Sequence, residues 1–182
     1  WLRRLPGHDI TRGMKLTGSR AIHLAAYLSP KKFAVVKLLV DAGADPKSLD
    51  NRGGSVLGSS AASEDCDVEL VNYLLKSYTR EEINRCLVAR SMKWRLIFNV
   101  SVALYRLGIS RSGLFGMIAK ETGQTALHGA TDVGNVCAVE ALLKAGADPN
   151  KATKLGTTAL IKALKTHHRR HVHQEELAEL AC

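Results

Sequence analysis

Aromatic side chains make up only 5% of this 182-residue chain, although 46% of its side chains are hydrophobic. A core with so few large rings must be filled by Ala, Leu, Val and Ile, which suits thin layers of short helices. Strand formers dominate no long stretch. Long apolar runs are also missing. The longest, Leu96 to Leu104, contains Asn99 and is far too short to span a bilayer. The four cysteines, Cys66, Cys86, Cys137 and Cys182, have no metal-ligand spacing. They read as reduced thiols in a cytoplasmic or other reducing compartment. Trp1 to Leu5 lacks the apolar region of a signal peptide. A start at Trp1 rather than Met reads as a fragment or a processed product, including an organellar chain whose targeting sequence has been removed. No phosphate loop is present, because Gly53-Gly54-Ser55 lacks a lysine at the required spacing. There is no Gly-x-Ser-x-Gly elbow, and no Cys, His and Asn set is readable as a nucleophilic site. Neither an enzyme nor a cofactor is expected.

Charge is present but banded. The net charge is +9. Residues 1–40 are net +7, 41–80 net −3, 81–120 net +5, 121–150 net −3 and 151–182 net +3. Positive bands of this kind steer partners with acidic patches.

Five residues occur twice, as Ala42-Gly43-Ala44-Asp45-Pro46 and Ala145-Gly146-Ala147-Asp148-Pro149. The copies lie 103 residues apart, about three lengths of a 33–35-residue unit. The clearest unit runs from Gly123 to Asn150. Thr125 caps a short helix that holds Leu127 and Ala130 on one face and stops at Gly134. Asn135 caps a second helix with Val136, Val139, Leu142 and Leu143 as its apolar stripe. Gly146 ends it, and Asp148-Pro149-Asn150 forms a turn.

Thr125-Ala126-Leu127-His128-Gly129-Ala130, an apolar helix and then Ala145-Gly146-Ala147-Asp148-Pro149-Asn150 resemble an ankyrin repeat. That family has the pattern Thr-Pro-Leu-His-x-Ala in units of about 33 residues. Ala126 stands where it usually has Pro. The resemblance implies an all-α solenoid of stacked helix-turn-helix pairs. It extends to Gly18–Pro46, where Ala21-Ile22-His23 repeats the motif, Arg20 replaces the capping Thr and Ser19 is the expected substitute. Phe33, Val36, Leu39 and Val40 then face the stack. A second unit starts at Gly53, with Gly58 in the place of His, Asp65 or Asp67 as a cap, and Val68, Val71, Leu74 and Leu75 inward.

About five units are expected in all, near 18–52, 53–78, 79–120, 121–155 and 156–182, within a repeat domain spanning 18–165. Residues 1–17 are a basic extension or the remnant of an earlier repeat. The third unit is degenerate. Thr79 opens a helix carrying Ile83, Cys86 and Leu87. A second helix covers about Lys93 to Leu107, and an extra turn lies around Leu114–Ile118. The last unit is partial, ending in a His-rich segment and atypical capping helix at 166–182.

Histidines at 23 and 128 read as loop-fixing groups rather than metal ligands. His167, His168, His171 and His173 are the only cluster with metal-binding character, and the intervening Arg169 and Arg170 argue against it. Lys93, Arg95, Arg106, Arg111 and Lys120 with Trp94, Phe98 and Tyr105 are components of a nucleic-acid surface. The aromatics fall at helical spacing, so core or interface is the preferred reading.

The expected function is a non-enzymatic protein-protein interaction module, an adaptor or scaffold. The alternatives are an accessory subunit of a large assembly, organellar ones included, and a regulatory domain of a larger enzyme or channel. In proteins of the resembling family, partners touch turn tips and first helices. Carried over, the tips are Lys47, Asp50, Asn51, Arg52, Asn150, Lys151, Thr153 and Lys154, and the first-helix contacts are Tyr27, Thr131 and Asp132.

Overall fold

Pairs of short helices, each capped and stopped by its own sequence, build the structure. The computed structural model describes residues 17–63, 65, 67–109 and 113–166. In chain order the helices are α1 (Ala21–Leu28), α2 (Lys32–Asp41), α3 (Val56–Ala61), α4 (Val68–Leu75), α5 (Arg80–Ile83), α6 (Met92–Arg106), α7 (Gly113–Glu121), α8 (Ala126–Val133) and α9 (Val136–Lys144). Residues 159–166 are also helical. The His-rich cluster and most of the expected capping helix lie outside the described residues, as does the extension before residue 17.

Caps form where short polar side chains precede apolar stripes. Asp67, rather than Asp65, accepts the Leu70 amide at 2.9 Å, and its other oxygen takes the Phe33 amide at 3.0 Å. Asn135 accepts from the Ala138 amide at 3.0 Å and donates to the Ser63 carbonyl at 3.2 Å. Each of these residues therefore caps its own helix and ties it to the preceding layer. Ser19 does not replace the missing Thr: its hydroxyl pairs with Thr17 at 2.8 Å. The Arg20 amide instead donates to Nδ1 of His23 at 3.2 Å. The two Ala-Gly-Ala-Asp-Pro segments end α2 and α9, with Gly43 at φ 95° and Gly146 at φ 89°, a backbone region open to glycine.

Three pairs stack. α1 packs on α2, α3 on α4 and α8 on α9. Between layers, α3 lies against α1 on one side and α8 on the other, while α4 lies against α2 and α9. Lys162 and Thr166 of the next helix bond the Asp132 carboxylate and carbonyl of α8, at 3.0 and 3.1 Å. That helix begins a fourth layer. One apolar cluster runs through the stack, centred on Ile22, Val36, Leu57, Leu70, Leu74, Leu127 and Leu142. Burial of each Leu or Ile contributes roughly 1.5–3 kcal/mol.

The expected third unit is not a layer of this stack. The apolar cluster passes from Ile83 to Ala126 with no residue between them. α6 and α7 instead pack on each other as a hairpin, with Phe98, Val102 and Ala119 buried between them. Trp94 and Phe98 meet edge to face at 5.8 Å, so their rings are engaged inside the hairpin. α5 is also shorter than expected. Thr79 and Glu82 form its capping box, but it ends at Asn84 after one turn and leaves Cys86 and Leu87 outside the helix. The reason is at Leu87, whose amide donates to the Gln124 carbonyl at 2.6 Å and whose carbonyl accepts the Gly123 amide at 3.1 Å. These bonds clamp the point where the hairpin leaves the stack and returns.

Candidate interaction groove

The turns between layers repeat their geometry. Leu49 bridges Ser55, and 103 residues later Ala152 bridges Thr158. Asp50 donates its amide to the Gly54 carbonyl at 2.9 Å, and Thr153 donates to Thr157 at 3.0 Å. The motif histidines hold these turns to the stack. His23 Nε2 lies 3.0 Å from the Ser48 carbonyl, and His128 Nε2 lies 3.0 Å from that of Thr157. On the other side of each ring, Nδ1 accepts the backbone amide of Arg20 or Thr125, both at 3.2 Å. This assigns both as neutral imidazoles protonated at Nε2. Burial holds both pKa values below the ordinary 6.5.

Most of the expected tip residues are occupied within the chain. Asp50 is buried, with its carboxylate accepting the amides of Arg52 and Gly54 at 2.9 and 2.7 Å. Thr153 is buried, and its hydroxyl accepts from the Leu155 and Thr157 amides. Both residues build their turns, and Asp50 also lines the candidate groove. Asn51 donates its amide to Thr17, and its carbonyl accepts the amides of Arg90 and Ser91. Lys47 pairs with Glu82 at 2.9 Å, and Lys151 donates to the Asn84 carbonyl at 2.7 Å. The Lys154 carbonyl accepts from Arg106 at 2.9 Å, its amide donates to Thr122, and its Nζ lies 3.5 Å from Asn99. The start of the hairpin thus sits on the first turn, through Arg90 and Ser91, and the middle and end of α6 on the second, through Asn99 and Arg106. Asn150 remains exposed. Thr131 bonds back to the His128 carbonyl at 3.0 Å.

Tyr27, Arg52 and Asp132 come together in a groove of about 440 Å³. First-helix residues line one side in register: Leu24 of α1, Gly58 and Ser59 of α3 with Ala62 just beyond, and Gly129 of α8 make the floor, with Tyr27 of α1 and Asp132 of α8 at its edges. Its opposite wall includes Arg85, Leu87, Glu121 and Gln124, where the hairpin joins the stack. Arg52 stands between the two parts, 3.2 Å from Asp50 and 3.8 Å from Glu121. The small residues in the floor were not singled out from sequence. Their signal was Gly58 in place of the motif histidine, and Gly129 beside His128. A Cβ at Gly129 would come within 3.2 Å of that of Ala62, so glycine permits the close approach of α8 to α3.

Among the described residues, no group of three His, Cys, Asp or Glu side chains is placed to hold a metal ion. No helix among them is long and apolar enough to cross a membrane. The groove therefore offers shape, a mixture of apolar and polar lining, and a few charges.

A family model described as Ankyrin repeat matches residues 17–51 and 122–154. No curated protein gives a significant match to the chain. The two matched segments are the units whose histidines close their turns, and the layer between them repeats their helix packing. On these grounds residues 17–51 and 122–154 are ankyrin repeats.

Proposed function

We propose that the protein is a non-enzymatic adaptor that holds an extended segment of a partner protein in this groove. Ankyrin repeats are protein-interaction modules, and the reading rests chiefly on one observation. The first helices present small residues side by side, leaving a trough whose rim carries Tyr27, Arg52 and Asp132. A tyrosine 49% exposed at the edge of such a trough is a large, stiff contact surface that loses little entropy on binding. The stack that positions it is rigid, so the partner alone bears the cost of ordering.

The partner surface is thereby moved from the turn tips to the trough, because the tips already hold the hairpin and one another. Affinity purification with mass spectrometry tests this. Gly58→Trp, which fills the trough, and Tyr27→Ala should each deplete the captured partners, while Asn150→Ala at an exposed tip should not. Unchanged partners in both groove variants, with melting temperatures equal to the parent, would refute the assignment.

A further inference from the structure

The hairpin has a second surface that packing against α7 does not use. Met92, Leu96, Val100, Ala103 and Leu107 are all exposed. Their spacings of four, four, three and four place them in one line along the helical surface of α6 and its C-terminal cap. The exposure is large: 74% for Met92, 66% for Leu96 and 73% for Leu107. Phe98, Ser101 and Val102 occupy the opposite, buried side. α6 is therefore apolar on two faces, and among the described residues only one of them is covered.

Cations border the uncovered face. At about 100° per residue, Lys93 falls on one edge of the line and Arg95 and Arg106 on the other. All three are exposed. Between Glu82 and Glu121 the sequence has seven Lys and Arg residues and no Asp or Glu. Five apolar side chains along one α6 face, bordered by charge of one sign only, form the pattern of a helix that lies in a lipid headgroup region.

We propose that the α6 face docks on an anionic bilayer surface, with Met92, Leu96, Val100 and Leu107 entering the acyl boundary and Lys93 and Arg95 against the headgroups. Charge complementarity selects this occupant. A protein rim ordinarily mixes both signs, whereas a phosphatidylserine-rich leaflet presents dense charge of one sign. Shape agrees as well. The face is a single convex helical ridge, whereas helix recognition by a protein uses an apolar trough. A bilayer receives a ridge without a complementary cleft. The five residues lie outside the groove lining, so membrane and partner can be held together.

Sedimentation of the purified chain with extruded vesicles tests the proposal. Vesicles of phosphatidylcholine with about 30% phosphatidylserine should bind at least tenfold more tightly than phosphatidylcholine alone. About 1 M NaCl, where charges are screened beyond about 3 Å, should remove most of that preference. Leu96→Glu and Val100→Glu should each reduce binding at least tenfold, and Lys93→Glu with Arg95→Glu should abolish the lipid preference. Circular dichroism melting of the same variants should match the parent, since the side chains are exposed. Met92→Glu serves in place of any variant that melts early. Absence of binding to the anionic vesicles overturns the proposal. So does binding that survives Leu96→Glu, or a stable dimer or acidic-protein complex that occupies this face without vesicle binding.

Discussion

Removing the hairpin distinguishes an excursion from a layer. Residues 88–121 are deleted, and Leu87 is joined to Thr122 through two glycines. The ends already meet through the Leu87–Gln124 and Gly123–Leu87 bonds, so closure requires no rearrangement. What the stack loses is countable. The amides of Arg90 and Ser91 leave the Asn51 carbonyl, Arg106 leaves Lys154, Asn99 leaves Lys154 Nζ, and Glu121 leaves Arg52. Five mostly solvent-accessible polar contacts of this kind contribute about 0.5–1 kcal/mol each, or about 2.5–5 kcal/mol together. Shortening a connection from about thirty residues to about four returns roughly 1.5–2 kcal/mol of closure entropy. The expected net cost is about 0.5–3.5 kcal/mol. Phe98, Val102 and Ala119 disappear together with their partners and leave no cavity in the stack. A true layer behaves otherwise. Its removal strips cover from Leu57, Leu70 and Leu74, costing well over about 5 kcal/mol, comparable with the whole stability of a domain. Urea unfolding followed by circular dichroism reads the difference. A cooperative transition with a lower slope and a modestly lowered midpoint is expected. A chain that no longer folds, or one destabilised by more than about 5 kcal/mol, refutes the excursion.

Three further outcomes follow from individual residues. Because His23 and His128 are held neutral by burial, the unfolded chain takes up protons that the folded chain refuses. Their contribution to stability is full above about pH 6.5 and declines as pH falls toward the folded values, so urea midpoints should drop between pH 7 and pH 5, and less so in a His128→Gln variant. Asn135→Ala removes both the cap of α9 and its tie to Ser63 and should cost about 2–3 kcal/mol, whereas Asn135→Asp keeps the cap and should cost about 1–2; denaturant titration of the pair checks the ordering. Gly53 has φ 87°, and a Cβ there would run into the Val88 carbonyl. Gly53→Ala should therefore cost at least about 2 kcal/mol in the parent and only about 1 in the chain lacking residues 88–121, a coupling that a double-mutant cycle measures.

Much of the stack was legible because its signals are local. A cap, a stripe at helical spacing and a glycine stop each lie within a dozen residues, and Asp67, Asn135 and Gly146 act as their surroundings in the sequence imply. The helices of the hairpin were legible, at about Lys93 to Leu107 and around Leu114–Ile118, but their place beside the stack was not, for an arithmetic reason. The hairpin occupies 88–121, about one repeat length, so the spacing between the Ala-Gly-Ala-Asp-Pro copies is the same whether the segment is a layer or an excursion. Helix periodicity does not separate the cases either, since α6 is amphipathic in both. Only the destination of its buried side decides, and α6 packs on α7 rather than on α3 or α8. The groove was partly legible. Tyr27, Arg52 and Asp132 line it as first-helix and tip residues. Asp50 lines it as well, though its carboxylate bonds turn amides, and Thr153 lies outside the lining; short polar side chains bond the nearest turn amides, a competition that side-chain type announces but does not settle.

The missing histidine and the excursion fall in the same layer. A motif histidine is held where its turn supplies it with a carbonyl: His23 finds Ser48, and His128 finds Thr157. In the second layer the corresponding turn is split by the hairpin rather than absent. The Leu87 amide donates to the Gln124 carbonyl and the Gly123 amide to the Leu87 carbonyl, the pattern that Asp50 makes with Gly54 and Gly53 in the first layer. Glycine at position 58 leaves space in the floor of the groove between Tyr27 and Asp132, while Arg85, Leu87, Glu121 and Gln124 line its other side. The layer that departs most from the repeat pattern thus supplies both a floor residue and, where its turn is split, a wall of the candidate binding site.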